Sequence, residues 1–335
     1  MPHKHFIYLV LITISLFFLA LLSFFIQPRY ETSLKKGELI FENIKKELND
    51  IKEINIDNNK TKISIIKDQD IWYMSTKSGY KVKNEIVRKN LIQISELRFF
   101  EKKTQDKSLY SRLNLDYPNN QDSESKYISI IDNDKKVLVE FILGKKKENG
   151  VYIKKIKDKE TWLTLGTLDM SSAEEDWLET RILNIDYKDV KKVSINHLNK
   201  KNESFSLTKD DKNENFLIDK LTKEQIPKSD LIANFIGYLF TNLTFEDVIE
   251  REGNVDNKVI IKINFKLFDG VNIFASIYNK DKDKWINIDI ESQSVLKLKE
   301  NEKIFVNNIE NWSYKLSSKK YNVSDTKFED LLVEN

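Results

Sequence analysis

Only three histidines occur in the chain, and with His3 and His5 near its start, His197 is the single imidazole left for chemistry in the rest. It stands in His197-Leu198-Asn199-Lys200, just after an alternating strand pattern. No second histidine is there to build a zinc site, and no Gly-x-Ser-x-Gly elbow pairs with it, so a solvated turn histidine is expected. The absence of cysteine removes thiol catalysis, thiolate zinc sites and disulfides together. Eight glycines, none in a Gly-x-Gly-x-x-Gly or Walker-type loop, offer no phosphate cradle. Carboxylates are plentiful, and a glycosidase-type pair needs two that converge. Asp116 and Asp176 are candidates, but their turn and helix-start positions are explained by capping. The run Asp210 to Asn215 lacks the alternating ligands and central glycine of a calcium loop and reads as a hairpin tip. The expectation is therefore a non-enzyme, with no catalytic, cofactor-binding or metal residue assigned.

Aromatic residues make up 11% of the chain and are the remaining chemical feature. Trp72, Trp162 and Trp177 are the candidate partner or ligand contacts, reached through a groove between two units. Like Trp285 and Trp312, they also lie on apolar patterns where core packing is the plain alternative. With 55 basic against 53 acidic residues the net charge is +2, which gives no electrostatic support to a nucleic-acid role. The lysine clusters at 145–147 and 154–159 read as solvated hairpin ends.

The elements that position these residues begin with an uncharged 21-residue run, Phe6 to Ile26. As a helix it would be roughly 31 Å long, enough for a single transmembrane anchor. Its length and bulky exit, Phe24-Phe25-Ile26-Gln27-Pro28, argue against a cleaved signal peptide. The expected order is a cytoplasmic tail at 1–5, an anchor at 6–26 and a membrane-proximal helical linker at 27–49. A first unit at 50–169, a linking helix at 170–188 and a second unit at 189–335 follow.

The two units share a pattern. Ile51-Lys52-Glu53-Ile54-Asn55-Ile56 returns as Val190-Lys191-Lys192-Val193-Ser194-Ile195, each followed by a second alternating run and then an aromatic, Trp72 or Phe216. Alternation at period two indicates half-buried strands in hairpins. Helical spacing follows at 83–97 and 228–243, then hairpins at 127–143 and 259–278, the second turning at Asp269-Gly270. Ser171 and Ser172 with Glu174 and Glu175 predict a capped linking helix that buries Trp177, Leu178 and Ile182. A final strand is expected at 311–316 and a short amphipathic helix at 328–333. The fold class expected is α+β: an N-terminal transmembrane helix followed by two similar hairpin-rich α+β units, an internal duplication.

Several segments together resemble a bacterial family, the one catalogued as domain of unknown function 4340. They are the strand Ile51 to Ile56, Asp70-Ile71-Trp72-Tyr73, Tyr110 to Pro118 with Leu115-Asp116-Tyr117-Pro118, Gly144 before Gly150-Val151-Tyr152-Ile153-Lys154, Asp176-Trp177-Leu178 with Arg181-Ile182-Leu183, and Trp312 to Leu316. The resemblance spans most of residues 45–320. It implies an anchored bacterial envelope protein associated with membrane-complex subunits such as those of gliding-motility ABC-type exporters; with the short tail left in the cytoplasm, the expected location is the inner membrane with a periplasmic C-terminal region. It supplies no catalytic residues. The functional expectation is a non-catalytic accessory or scaffold subunit whose sheet edges accept partners; the alternative is a binding module for an envelope polymer or small ligand.

Overall fold

The computed structural model describes residues 3–26, 35–119, 123–253, 255 and 258–333. The first nine strands are β1 (Ile51–Asp57), β2 (Lys62–Asp68), β3 (Ile71–Met74), β4 (Tyr80–Lys81), β5 (Arg98–Lys102), β6 (Lys126–Asp132), β7 (Val137–Lys147), β8 (Gly150–Lys155) and β9 (Thr161–Leu165). They form one antiparallel sheet in the order β4-β3-β2-β1-β6-β7-β8-β9-β5. Next come β10 (Arg181–Leu183), β11 (Val190–His197), β12 (Phe205–Thr208), β13 (Leu217–Ile218), β14 (Leu243–Thr244) and β15 (Asp247–Glu250). The last four are β16 (Val259–Leu267), β17 (Asn272–Lys280), β18 (Asp283–Ile290) and β19 (Trp312–Lys315). The second large sheet runs β13-β12-β11-β16-β17-β18-β19-β15, while β10 and β14 make a two-stranded pair. In each large sheet a strand formed before the central hairpin, β5 or β15, returns to pair with the last strand.

The alternation seen in the sequence sets the core. In β16 every second residue, Val259, Ile261, Ile263, Phe265 and Leu267, is buried. In β1 the buried residues are Ile51, Ile54 and Ile56, and a bulge between Ile51 and Glu53 shifts the parity. One continuous apolar cluster reaches from Ile40 in the first unit to Leu331 in the second.

Helices are few: α1 (His3–Ile26), α2 (Ile44–Glu47), α3 (Asn84–Glu96), α4 (Asn234–Gly237), α5 (Ser292–Glu300) and α6 (Ser318–Ser324). The α+β expectation is thus overturned: the fold is dominated by antiparallel sheet. The expected helix at 83–97 forms as α3. Its counterpart at 228–243 contracts to the single turn α4 amid other turns, where two contacts with Phe216 hold the segment. The Asn234 side chain accepts from the backbone N–H of Phe216, and a Cβ on Gly237 would lie 2.6 Å from the Phe216 ring. The linking helix at 170–188 is replaced by a 3-10 turn at Glu174–Asp176, then β10 and a second 3-10 turn at Tyr187–Asp189, although Trp177, Leu178 and Ile182 are buried. At 328–333 only a 3-10 turn at Glu329–Leu331 forms.

The expected transmembrane helix is also overturned. A helix does run His3–Ile26, but among the described residues no helix is long and apolar enough to cross a membrane. The expected linker at 27–49 lies outside the described residues over 27–34, and its remainder holds only α2.

Straps close the sheet ends. Residues 37–40 pair with the outer side of β5, through Gly37 N–H to Phe99 O at 2.8 Å, Phe99 N–H to Glu38 O at 3.0 Å and Ile40 N–H to Leu97 O at 2.9 Å. In the second unit residues 180–183 do the same along 243–245. The outer side of the β4 run is covered by Trp177 to Glu179, with Lys83 N–H to Trp177 O at 2.8 Å and Val82 bridged to Leu178.

Gly144 in β7 marks the tightest packing between strand and loop. A Cβ there would lie 2.3 Å from Leu113 O and 3.0 Å from Asn114 O. Backbone atoms cannot yield as a flexible side chain can, so Gly144→Ala is expected to cost about 2 kcal/mol or more, read as a lower urea midpoint with unchanged slope. A midpoint equal to wild type would show that the loop at 113–114 yields.

Candidate functional site

The three tryptophans proposed as contacts are interior residues. Trp72 is 7% exposed, Trp162 5% and Trp177 0%. The Trp162 ring packs edge-on to Phe99 at 4.7 Å between centroids. The Trp177 indole Nε1–H donates to Ser171 O at 3.1 Å, which satisfies its one polar group inside the protein. Burial therefore removes these residues from direct contact with a partner, and the core-packing alternative describes them.

His197 is not a solvated turn residue either. It closes β11 with the parity of Val193 and Ile195, which turns its ring into the core at 6% exposure. Nε2 lies 3.0 Å from Thr326 O and Nδ1 3.7 Å from Asp325 Oδ1. The residue ties β11 to the segment after α6. Lys209 follows the same rule after Phe205 and Leu207 and is 2% exposed. Its ammonium donates to Tyr187 O and Lys212 O, both at 3.0 Å, and sits 3.9 Å from the Tyr187 ring centroid. Burial pushes this amine down. The Asp210 to Asn215 tip beyond it is exposed, as a hairpin tip is.

Three of the sequence segments that carry the family resemblance meet at one cleft of about 630 Å³ lined by Asn114, Lys126, Gly144, Lys146, Asp169 and Asp176 among others. Its carboxylates are engaged within the chain. Hydrogen bonds from Lys146, Lys89 and Gln93 hold Asp169 well below the usual carboxylate range, so it stays ionised. Asp176 accepts from Ser171 Oγ, and Glu124 accepts from Asn114 Nδ2 at 2.9 Å. Desolvation, and Lys146 beside it, depress the Lys126 amine, whose Nζ donates to Met170 O at 2.6 Å. Asp116 takes no part: its carbonyl accepts from Ser125 Oγ at 2.6 Å. Among the described residues no group of three or more His, Cys, Asp or Glu is placed to hold a metal.

Where the units meet, Tyr80 is 1% exposed. Its ring stands edge-on to Trp312 at 4.9 Å and to Phe245 at 5.4 Å, and its hydroxyl donates to Glu179 O at 3.1 Å. Lys77 bridges Glu174 at 3.0 Å and Asp247 at 2.7 Å. Burial opposes its charge, but these two hydrogen bonds outweigh burial and raise its pKa. A groove of about 570 Å³ opens beside this junction, lined by Ser78, Glu250, Arg251, Glu310, Asn311 and Trp312 among others.

The turns around α4 carry an exposed apolar row, two of whose members, Leu231 and Phe235, belong to the helical spacing expected at 228–243. Leu231 is 61% exposed, Phe235 41% and Tyr238 50%, at spacings of four and three that place them on one side. Lys320 of α6 fixes this segment from below, its Nζ donating to the carbonyls of Tyr238, Leu239 and Thr241 at 3.1, 2.7 and 2.8 Å.

Strand order and site together define an antiparallel two-sheet protein held at an aromatic junction, with an outward apolar row on its second unit. The chain belongs to the family described as Domain of unknown function (DUF4340), which matches residues 72–259. The matched span contains the junction residue Tyr80, the strap at 177–183 and the row at 231–238, while the opening strand and Trp312 to Leu316 lie outside it. No curated protein and no solved structure matches the chain.

Burial, with Lys319 nearby, pushes the Lys320 amine down to about 8. An unfolded-chain lysine keeps its proton to about 10.4. Between those values the unfolded state binds more protons, so stability must rise with pH; Lys209 and Lys126 act in the same direction. Urea midpoints are expected to increase from about pH 8 to about pH 9.5, before tyrosine ionisation near 10 intervenes, with a shallower rise in Lys320→Met. A midpoint that falls across this window would contradict the assignment.

Proposed function

We propose that the protein is a non-catalytic accessory or scaffold subunit of a multi-protein complex, and that it docks a protein partner through its second unit. The observation that carries this reading is the row Leu231, Phe235 and Tyr238, held outward on a segment whose other side, Ala233, Ile236, Leu239 and Phe240, is fully committed to the core. Three large apolar side chains on one rigid face, underpinned by a lysine that satisfies three carbonyls, are the composition of a contact surface. An ABC-type exporter in the bacterial envelope is the complex suggested by the family resemblance. That part of the proposal rests on the resemblance alone and needs no membrane-spanning helix.

A second reading is favoured by one observation. The junction groove sets the half-buried Trp312 beside Glu250, Glu310 and Asn311. An aromatic face with flanking hydrogen-bond acceptors suits a small polar ligand such as a sugar unit of an envelope polymer.

The test is co-purification from the native host followed by reconstitution from purified components. Wild type is expected to retain a stoichiometric protein partner, and Leu231→Asp/Phe235→Asp to weaken the rebuilt complex about 30-fold or more without changing the urea midpoint. Undiminished binding by the double variant, or recovery of the protein alone, contradicts the proposal; saturable binding of oligosaccharide lost in Trp312→Ala would favour the second reading.

A further inference from the structure

One cross-strand row differs in kind between the two large sheets. In the first sheet Ile63, Ile56, Ile128 and Phe141 stand side by side across β2, β1, β6 and β7, each at most 2% exposed, and the next residue of the row, on β8, is Lys155. Ile56 corresponds to Ile195 in the repeated pattern, and the row through Ile195 runs Phe205, Ile195, Ile263, Ala275 and Ile288, the last fully buried. Lys155 thus occupies a core position in the register of its sheet, where the other sheet has isoleucine. Directly opposed residues share a face, so the row carries a charge to the rim of the core.

The half-buried ammonium has no acceptor. Its Nζ faces the rings of Phe41 and Phe99, 5.5 and 5.4 Å from their centroids, and among the described residues it donates no hydrogen bond and joins no ion pair. The other inward lysines are satisfied, Lys320 by three carbonyls and Lys209 by two and a ring face. Burial pushes the Lys155 amine down, with Lys35 adding to the effect and Asp158 and Glu42 opposing it without pairing. Ring faces offset only part of the desolvation of such a charge. Lys155 also lines an open slot of about 390 Å³ with Ile40, Phe41, Ile44, Val139 and Ile156 among others, a volume within the range of small-molecule sites. Glu140, on the same wall, is engaged by the Tyr127 hydroxyl.

We propose that this slot binds a small organic monoanion with an apolar body, of the class of a medium-chain carboxylate, its carboxylate on Lys155 Nζ and its chain along Phe41, Ile44 and Val139. An ammonium with unused donors selects an acceptor of opposite charge, and apolar walls select an apolar remainder. The exposed carboxylates of Glu42 and Asp158 beside the slot repel a second negative group, which disfavours polyanions. The site lies in the first unit, goes beyond the scaffold reading and does not depend on the Leu231 row.

The probe is octanoate at neutral pH, with 1-octanol as its uncharged counterpart, titrated into the full chain and followed through methyl resonances by NMR. Saturable shifts are expected at Ile40, Ile44 and Val139 with a midpoint of about 1 mM or lower, while Ala275 and Ile288 stay in place. 1-Octanol should bind these methyls about tenfold or more weakly. Lys155→Met sets an apolar chain where the other sheet has Ile288, and should weaken octanoate about tenfold or more without lowering the urea midpoint. Equal affinity for 1-octanol, undiminished binding by Lys155→Met, or shifts that do not saturate or that fall only on other residues would overturn the proposal. The comparison with 1-octanol uses the wild-type chain, so it decides the matter even if the variant fails to fold.

Discussion

Residues Trp177 to Leu183 form the constraint on which the rest of the structure depends. The first half of this segment, Trp177 to Glu179, completes the edge of the first sheet, and the second half pairs with 243–245 in a separate two-stranded ribbon just ahead of β15 of the second sheet. No residue is spare between the two tasks. Trp177, Leu178, Ile182 and Leu183 are all at most 1% exposed, so the segment is buried from both sides. Tyr80 and Lys77 then fix the orientation of the units, one by aromatic edges against Trp312 and Phe245, the other by its two carboxylates. The ion pairs are partly exposed and contribute little on their own. The apolar burial around Tyr80 is the larger effect.

That geometry explains which surfaces remain. The first sheet is closed by strap 37–40 on β5 and by 177–179 beyond β4, so the expectation of freely available sheet edges does not hold for it. In the second unit β13 ends its sheet, and the row Leu231, Phe235 and Tyr238 is exposed.

Much of the sheet architecture was legible in the sequence because a period of two is a strong signal when one strand face is buried. The hairpins at 127–143 and 259–278 and the last strand β19 follow directly from it, and helix α3 follows from the 3.6-residue spacing at 83–97. Parity could also have placed His197 and Lys209 inside, since each continues an alternating run of buried residues; the polar identity of the side chain masked the position. Less accessible were the features decided by contacts distant in sequence. The helical spacing at 228–243 is real, but Gly237 against Phe216 and Tyr187, and Asn234 on Phe216, hold it to a single turn. The serines before Trp177 carry a capping pattern, yet Ser171 is occupied by Asp176 and the chain beyond it by two sheets. The tryptophans could not be assigned to core or surface from spacing alone, and tertiary burial decided them.

The measurement that tests the shared segment most directly is differential scanning calorimetry of the full chain. If Trp177 to Leu183 joins the edge of the first sheet to the ribbon that leads into the second, neither sheet can melt while the other stays intact. A single transition is expected, with calorimetric and van't Hoff enthalpies in agreement. Two resolved transitions, or a van't Hoff enthalpy near half the calorimetric one, would show that the sheets unfold independently and contradict the account.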